Sequence, residues 1–186
     1  AQEIGANGIL SIAPYYNKPT QEGLYQHYKT IAQSVEIPFM LYNVPGRTGV
    51  DLLPETAIRL FDDVKNIYGI KEATGSLERA TAIISQRENF FVFSGDDSVD
   101  FAMLASGAKG IISVTSNLVP NLKSKLVSSV MSGDFQTALK IHNDLFELNK
   151  VLFCESNPIP IKAAMYLSGL LDSLEFRLPL TNPSNE

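Results

Sequence analysis

Five short apolar runs, at residues 8–13, 37–42, 66–71, 90–94 and 110–114, recur along the chain with their starts 20 to 29 residues apart. Each is rich in β-branched or aromatic residues, and helical periodicity follows the first four. The spacing leaves room for one crossover helix between consecutive strands, which parallel pairing requires. The runs are near-continuously apolar rather than alternating, which predicts strands covered on both faces. The chain is therefore read as a series of βα units.

The helices carry their own signals. Thr20 caps a segment through Ser34, with Glu22 and Gly23 in its first turn and Tyr25, Tyr28 and Ile31 at helical spacing. Leu53-Pro54-Glu55 opens the next, with Pro54 where the helix needs no N–H donor. Ser76 starts a third, through about Gln86, and Asp97 or Ser98 a fourth, ending near Gly107. After the fifth run the alternation stops. Residues 120–132, 134–152 and 158–169 read as three helices, with Gly133 and Asn157 as breaks. The Pro- and Asn-rich stretch 181–186 reads as a frayed tail or a cut.

Two architectures accept five parallel strands. An open doubly wound sheet would carry a glycine-rich phosphate loop after an early strand; Gly46 and Gly49 flank Arg47-Thr48 without that pattern. The other is a TIM (β/α)8 barrel, which takes about 250 residues when complete. The 186 residues are too few, and the chain opens on what reads as the last turn of a helix stopped by Gly5. The expected fold is thus α/β: strands 4–8 of a barrel, N-terminal strands missing, with a C-terminal helical appendage. The barrel part is expected over residues 1–116, and the last barrel helix and helical region over 117–186.

Composition excludes several classes of function. The chain is 45% hydrophobic and 19% charged, with a net charge of −5. An acidic chain with no basic stripe gives no support to nucleic-acid binding. No apolar run is long enough to span a bilayer. The single cysteine, Cys154, rules out an internal disulfide framework and fits a reducing compartment. It lies in an apolar, helical-looking stretch, so a buried inert thiol is expected there. His27 and His142 fall on helices far from the strand ends, and no metal-ligand spacing is present.

The chemistry concentrates at the strand ends. Lys71 closes the third run, and an amine taken out of water there loses its proton readily and can attack a carbonyl. Its neighbour Glu72 would point to the opposite face. Tyr42 closes the second run, 29 residues upstream, and is followed by Asn43-Val44-Pro45-Gly46-Arg47-Thr48-Gly49. Parallel strands would bring this amine, phenol and guanidinium to one mouth, a set suited to a small keto acid. Pro14-Tyr15-Tyr16-Asn17-Lys18-Pro19, Ser94-Gly95-Asp96-Asp97 and Ile112-Ser113-Val114-Thr115 follow the other runs. Asp96 and Asp97 resemble a paired-carboxylate site, with helix capping as their expected role.

Four motifs, Tyr-Tyr-Asn-Lys-Pro, Tyr-Asn-Val-Pro-Gly-Arg-Thr-Gly, Gly-Ile-Lys-Glu-Ala-Thr-Gly and Asn-Pro-Ile-Pro-Ile-Lys, make the chain resemble the dihydrodipicolinate synthase family of pyruvate-dependent Schiff-base lyases and aldolases. The resemblance runs the length of the chain, in family order and spacing. It implies that Lys71 forms an imine with pyruvate, that Tyr42 relays protons, and that Arg47 binds the carboxylate of aspartate semialdehyde. It implies further that Tyr16 completes a proton relay in a neighbouring subunit's site and that Tyr15 approaches an inhibitor cleft between subunits. Ile112 and Gly95 fall among the substrate-binding positions. No metal or organic cofactor is implied, and the expected assembly is a cytoplasmic homotetramer, a dimer of dimers. The family's Thr-Thr pair has no counterpart here, so the 186 residues alone are expected to fold and turn over poorly. Two alternatives stay open: a sister pyruvate aldolase acting on sialic acid or a keto-deoxy sugar acid, and an inactive barrel fragment.

Overall fold

The apolar runs pair side by side. β1 (Ile9–Ile12), β2 (Phe39–Asn43), β3 (Ile67–Glu72), β4 (Phe91–Ser94) and β5 (Gly110–Ile111) form one parallel sheet in chain order. The computed structural model describes residues 1–184. The chain divides into two compact units, Ala1–Ile112 and Ser113 onward. The first unit alternates the strands with α1 (Gln21–Gln33), α2 (Pro45–Thr48), α3 (Pro54–Asp63), α4 (Leu77–Ile84) and α5 (Asp100–Ala105). The second is helical: α6 (Pro120–Met131), α7 (Phe135–Asp144), α8 (Phe146–Val151) and α9 (Ile159–Leu167).

Local chemistry explains most of these boundaries. The Thr20 hydroxyl accepts the Gly23 N–H at 3.2 Å and the Ser76 hydroxyl accepts the Arg79 N–H at 3.3 Å, capping α1 and α4. Pro54 occupies the first turn of α3. At the start of the chain, the short 3-10 turn Gln2–Ile4 ends on Gly5 with φ 86°, a left-handed conformation that glycine adopts freely.

The core of the first unit lies between one face of the sheet and its helices. Phe39, Leu41, Ile70 and Val92 point into it from the strands, against Leu24, Tyr28, Leu60, Ile83 and Met103 from α1, α3, α4 and α5. The opposite face departs from the expectation of cover on both sides. Leu10 and Ile12 on that face are 46% and 37% exposed. Five strands are too few to curl until side chains fill the concave side, as about eight can.

Several expectations need correction. The fifth strand is two residues long, not five, because Ser113 to Asn117 turn away into a 3-10 segment over Thr115–Asn117. The fourth helix starts at Asp100, not at Asp97 or Ser98, and neither Asp96 nor Asp97 caps it. The Asp96 carboxylate instead accepts the Ser98 N–H at 3.0 Å, a side-chain turn that competes with helix. Residues 134–152 are two helices, since Leu145 takes ψ −2° and breaks the ladder without a glycine or proline to signal it. With α8 ending at Val151, Cys154 falls in the following bends and is exposed, not buried. The stretch 181–186 lies partly outside the described residues; within them, Ser184 bonds Glu155 Oε1 through both its N–H and its hydroxyl.

Candidate active site

Parallel register sets the site. Ile12 pairs with Tyr42, Tyr42 with Lys71 and Lys71 with Phe93, so these residues form one row near the C-terminal ends of β1 to β4. Side chains alternate across a sheet, so the row faces the open side, away from the helix-packed core. Lys71 Nζ sits 4.2 Å from the centroid of the Tyr42 ring. The second row holds Asn43, Glu72 and Ser94 on the helix side, all three fully buried. A change of one residue along a strand thus separates the reactive groups from a packed polar layer.

Burial and charge tune the two central groups. Partial burial pushes the Lys71 ammonium below the usual lysine range; the Asp97 charge opposes this and the Arg47 charge reinforces it. Burial raises the Tyr42 phenol, and Arg47 pulls the other way. Lys71 is therefore easier to deprotonate than a free lysine, while Tyr42 keeps its proton at neutral pH. A nucleophilic amine lies beside a proton-holding phenol.

The remaining expected residues divide into two groups. Arg47 lies at the end of α2, the single turn Pro45–Thr48 that follows β2, and its charge is felt by both Tyr42 and Lys71. Gly95 crowds Lys71 directly. A Cβ there would come within 2.8 Å of Lys71 Cε and of Ala73 Cβ, so any larger residue would push the Lys71 side chain or Ala73 aside. Ile112 donates its N–H to Ser94 O at 2.8 Å, which places its backbone one residue from Gly95. Tyr15 and Tyr16 stand apart, 66% and 92% exposed in the loop after β1. Tyr16 has φ 69°, and the Asn17 N–H bonds Tyr15 O at 2.9 Å. This is a γ-turn of the rarer, positive-φ kind, which a bulky residue occupies only under strain.

Some residues around the site escape a reading of the sequence. Asp97 stands out in the sequence beside Asp96 but is expected there to cap a helix; it is instead 2% exposed and acts on Lys71 by charge. Phe93 flanks Lys71 through register alone. The Tyr28 hydroxyl lies 3.4 Å from both Ser11 O and Tyr42 O, beneath the ends of β1 and β2. Asn43, Asp51 and Arg79 gather around Glu72 from separate elements, and no local pattern announces that. Among the described residues, no group of three or more His, Cys, Asp or Glu side chains could hold a metal ion, and no helix is long and apolar enough to cross a membrane.

Comparison with known proteins gives the family. A model of the dihydrodipicolinate synthetase family matches residues 1–186. The chain is 86% identical over its whole length to a 4-hydroxy-tetrahydrodipicolinate synthase of Aliarcobacter butzleri, and 64% identical to one of a Sulfurovum species. It spans 63% of the length of each of these curated relatives. Among solved structures, dihydrodipicolinate synthase from Aquifex aeolicus is similar at TM-score 0.95 and 47% identity, over 98% of this chain and 62% of that one. The enzyme from Acinetobacter baumannii, crystallised with pyruvate, is similar at TM-score 0.95 and 49% identity, over 99% of this chain and 63% of that one.

Proposed function

We infer, for a chain that belongs to the dihydrodipicolinate synthetase family, that it carries the Schiff-base centre of a 4-hydroxy-tetrahydrodipicolinate synthase. Its five strands correspond in this reading to strands 4–8 of a (β/α)8 barrel. The substrates are pyruvate and aspartate semialdehyde, and the product feeds lysine and diaminopimelate synthesis. The observation that carries the reading is the half-buried Lys71 amine 4.2 Å from the Tyr42 ring centroid, at the C-terminal end of a parallel sheet.

The chemistry then runs in four stages. The neutral Lys71 amine adds to the pyruvate ketone, and the carbinolamine oxygen leaves as water, with Tyr42 supplying the proton. Tyr42, left as the phenolate, takes a methyl proton; the C–H pair becomes the new C=C bond and the C=N π pair moves to nitrogen, giving an enamine. The enamine carbon attacks the aldehyde carbon of the semialdehyde, whose oxygen takes up a proton and becomes a hydroxyl. Last, the amino group of the bound product attacks the imine carbon and expels the Lys71 amine, closing the ring. Atoms and charge balance without an oxidant or reductant. No metal or organic cofactor is required, because the imine nitrogen is the electron sink.

The other residues take roles by position. Arg47 binds the semialdehyde carboxylate with its planar fork, and the backbone at Gly95 and Ile112 lines the pyruvate site. Tyr16 reaches a neighbouring subunit's site and Tyr15 an inter-subunit cleft, in a cytoplasmic homotetramer built as a dimer of dimers. Their exposure and the strained turn at Tyr16 support an inter-subunit role.

Borohydride reduction in the presence of pyruvate tests the central step. The expected result is one stable pyruvate adduct on a peptide containing Lys71, absent from Lys71→Arg. No adduct in the unmutated chain, alone or joined to the N-terminal segment of the Aliarcobacter butzleri relative, overturns the reading. Turnover of pyruvate with the semialdehyde, set against a sugar aldehyde, separates this activity from that of a sister aldolase.

A further inference from the structure

Behind the reactive row lies a connected polar layer. Asn43 Nδ2 reaches Glu72 Oε2 at 3.2 Å and Asp51 Oδ1 at 2.9 Å, while Asn43 Oδ1 accepts the Leu52 N–H at 3.0 Å. Glu72 accepts the Thr74 N–H at 2.9 Å and the Arg79 Nε–H at 3.4 Å. The Arg79 guanidinium continues to Asp51 Oδ2 at 3.0 Å and to Leu52 O at 2.6 Å. The Asn43 and Glu72 side chains are completely buried, and each immediately follows a reactive residue, Tyr42 or Lys71.

Adjacency makes this layer more than packing. Asn43 and Glu72 are direct register partners, as are Tyr42 and Lys71 one step earlier. The contact between Asn43 and Glu72 therefore fixes, on the helix side, the pairing that sets amine against phenol on the open side. A slip of one residue would turn Glu72 toward the mouth and Lys71 into the core. Register here is vulnerable, because the β2–β3 ladder already shifts between Phe39 and Met40, at the other end of the pair. Arg79 and Asp51 anchor the two residues to α4 and to the loop before α3.

We propose that Asn43 and Glu72, held by Arg79 and Asp51, are positioning residues that clamp β2 to β3 and keep the Lys71 amine half-buried beside Tyr42. The proposal rests on the Schiff-base reading of Lys71. It accounts for two polar side chains, one amide and one acid, completely buried on the face opposite the amine.

The test follows imine formation at Lys71 by borohydride trapping with pyruvate across pH, on the full chain alone and joined to the N-terminal segment of the Aliarcobacter butzleri relative. The variants are Asn43→Ala, Glu72→Gln, the double variant and Asp51→Asn. A loosened clamp exposes the amine, relieving the desolvation that lowers its proton affinity. The trapping midpoint should move to higher pH, and the rate at neutral pH should fall about tenfold. The double variant should lose no more than the worse single variant, because both changes break one clamp. A purely structural role would lower the folded fraction without moving the midpoint of the molecules that remain folded. Unmoved midpoints with additive losses overturn the proposal. Should the buried variants fail to fold, Asp51→Asn decides, since Asp51 is 39% exposed at the solvent end of the network; an unmoved midpoint there overturns the clamp. Absence of any adduct in the unmutated protein instead overturns the Schiff-base reading itself.

Discussion

At the scale of single residues, the site works through contrast between neighbours. Lys71 is held below its usual proton affinity by burial, so its free-amine fraction should pass one half at a lower pH than for an exposed lysine. Trapping rate against pH should show this, with Lys71→Arg giving no adduct at any pH. The same shift has a consequence for stability. Between the folded and unfolded proton affinities of Lys71, the unfolded chain binds more protons, so this contribution to stability rises with pH. Chemical denaturation of the unmutated chain and of Lys71→Met across that window should show the unmutated chain gaining stability relative to the variant as pH increases, as the cost of burying the charged amine is relieved. Tyr42→Phe keeps the ring but removes the proton donor, and imine formation should slow by about 100-fold. Gly95→Ala puts a methyl group within 2.8 Å of Lys71 Cε and Ala73 Cβ. Trapping should fall about tenfold or more while the helical circular-dichroism signal stays unchanged.

At the scale of elements, the sequence is most legible where a single local force decides. The first four strands are where their apolar runs place them, and Thr20 and Ser76 cap their helices as polar residues at a helix start should. Ser76→Ala should cost about 1 kcal/mol in a denaturant titration, because the Arg79 N–H loses its acceptor. Legibility fails where distant segments decide. The break at Leu145 carries no glycine or proline, and the helical turn Pro45–Thr48 is too short for periodicity to register. The site divides in the same way. Lys71 and Tyr42 stand out as polar residues closing apolar runs, whereas Asn43, Asp51 and Arg79 acquire meaning only when β2, α4 and an intervening loop meet around Glu72.

At the scale of the whole molecule, the sheet has two edges, β1 and β5, that are unpaired among the described residues. Edges invite association with other chains, and Leu10 and Ile12 add exposed apolar surface. The 186 residues alone should therefore elute as a concentration-dependent mixture on size exclusion and turn over little. Joined to the N-terminal segment of the Aliarcobacter butzleri relative, they should give a discrete oligomer and measurable product formation; efficient turnover by the chain alone contradicts this. The alternation of the strands has one last effect. Since Lys71 and Glu72 occupy opposite faces, a mispaired chain presents an acid where the amine belongs. Such a molecule is silent rather than impaired, so pyruvate labelling would count correctly assembled molecules, each scoring one or nothing.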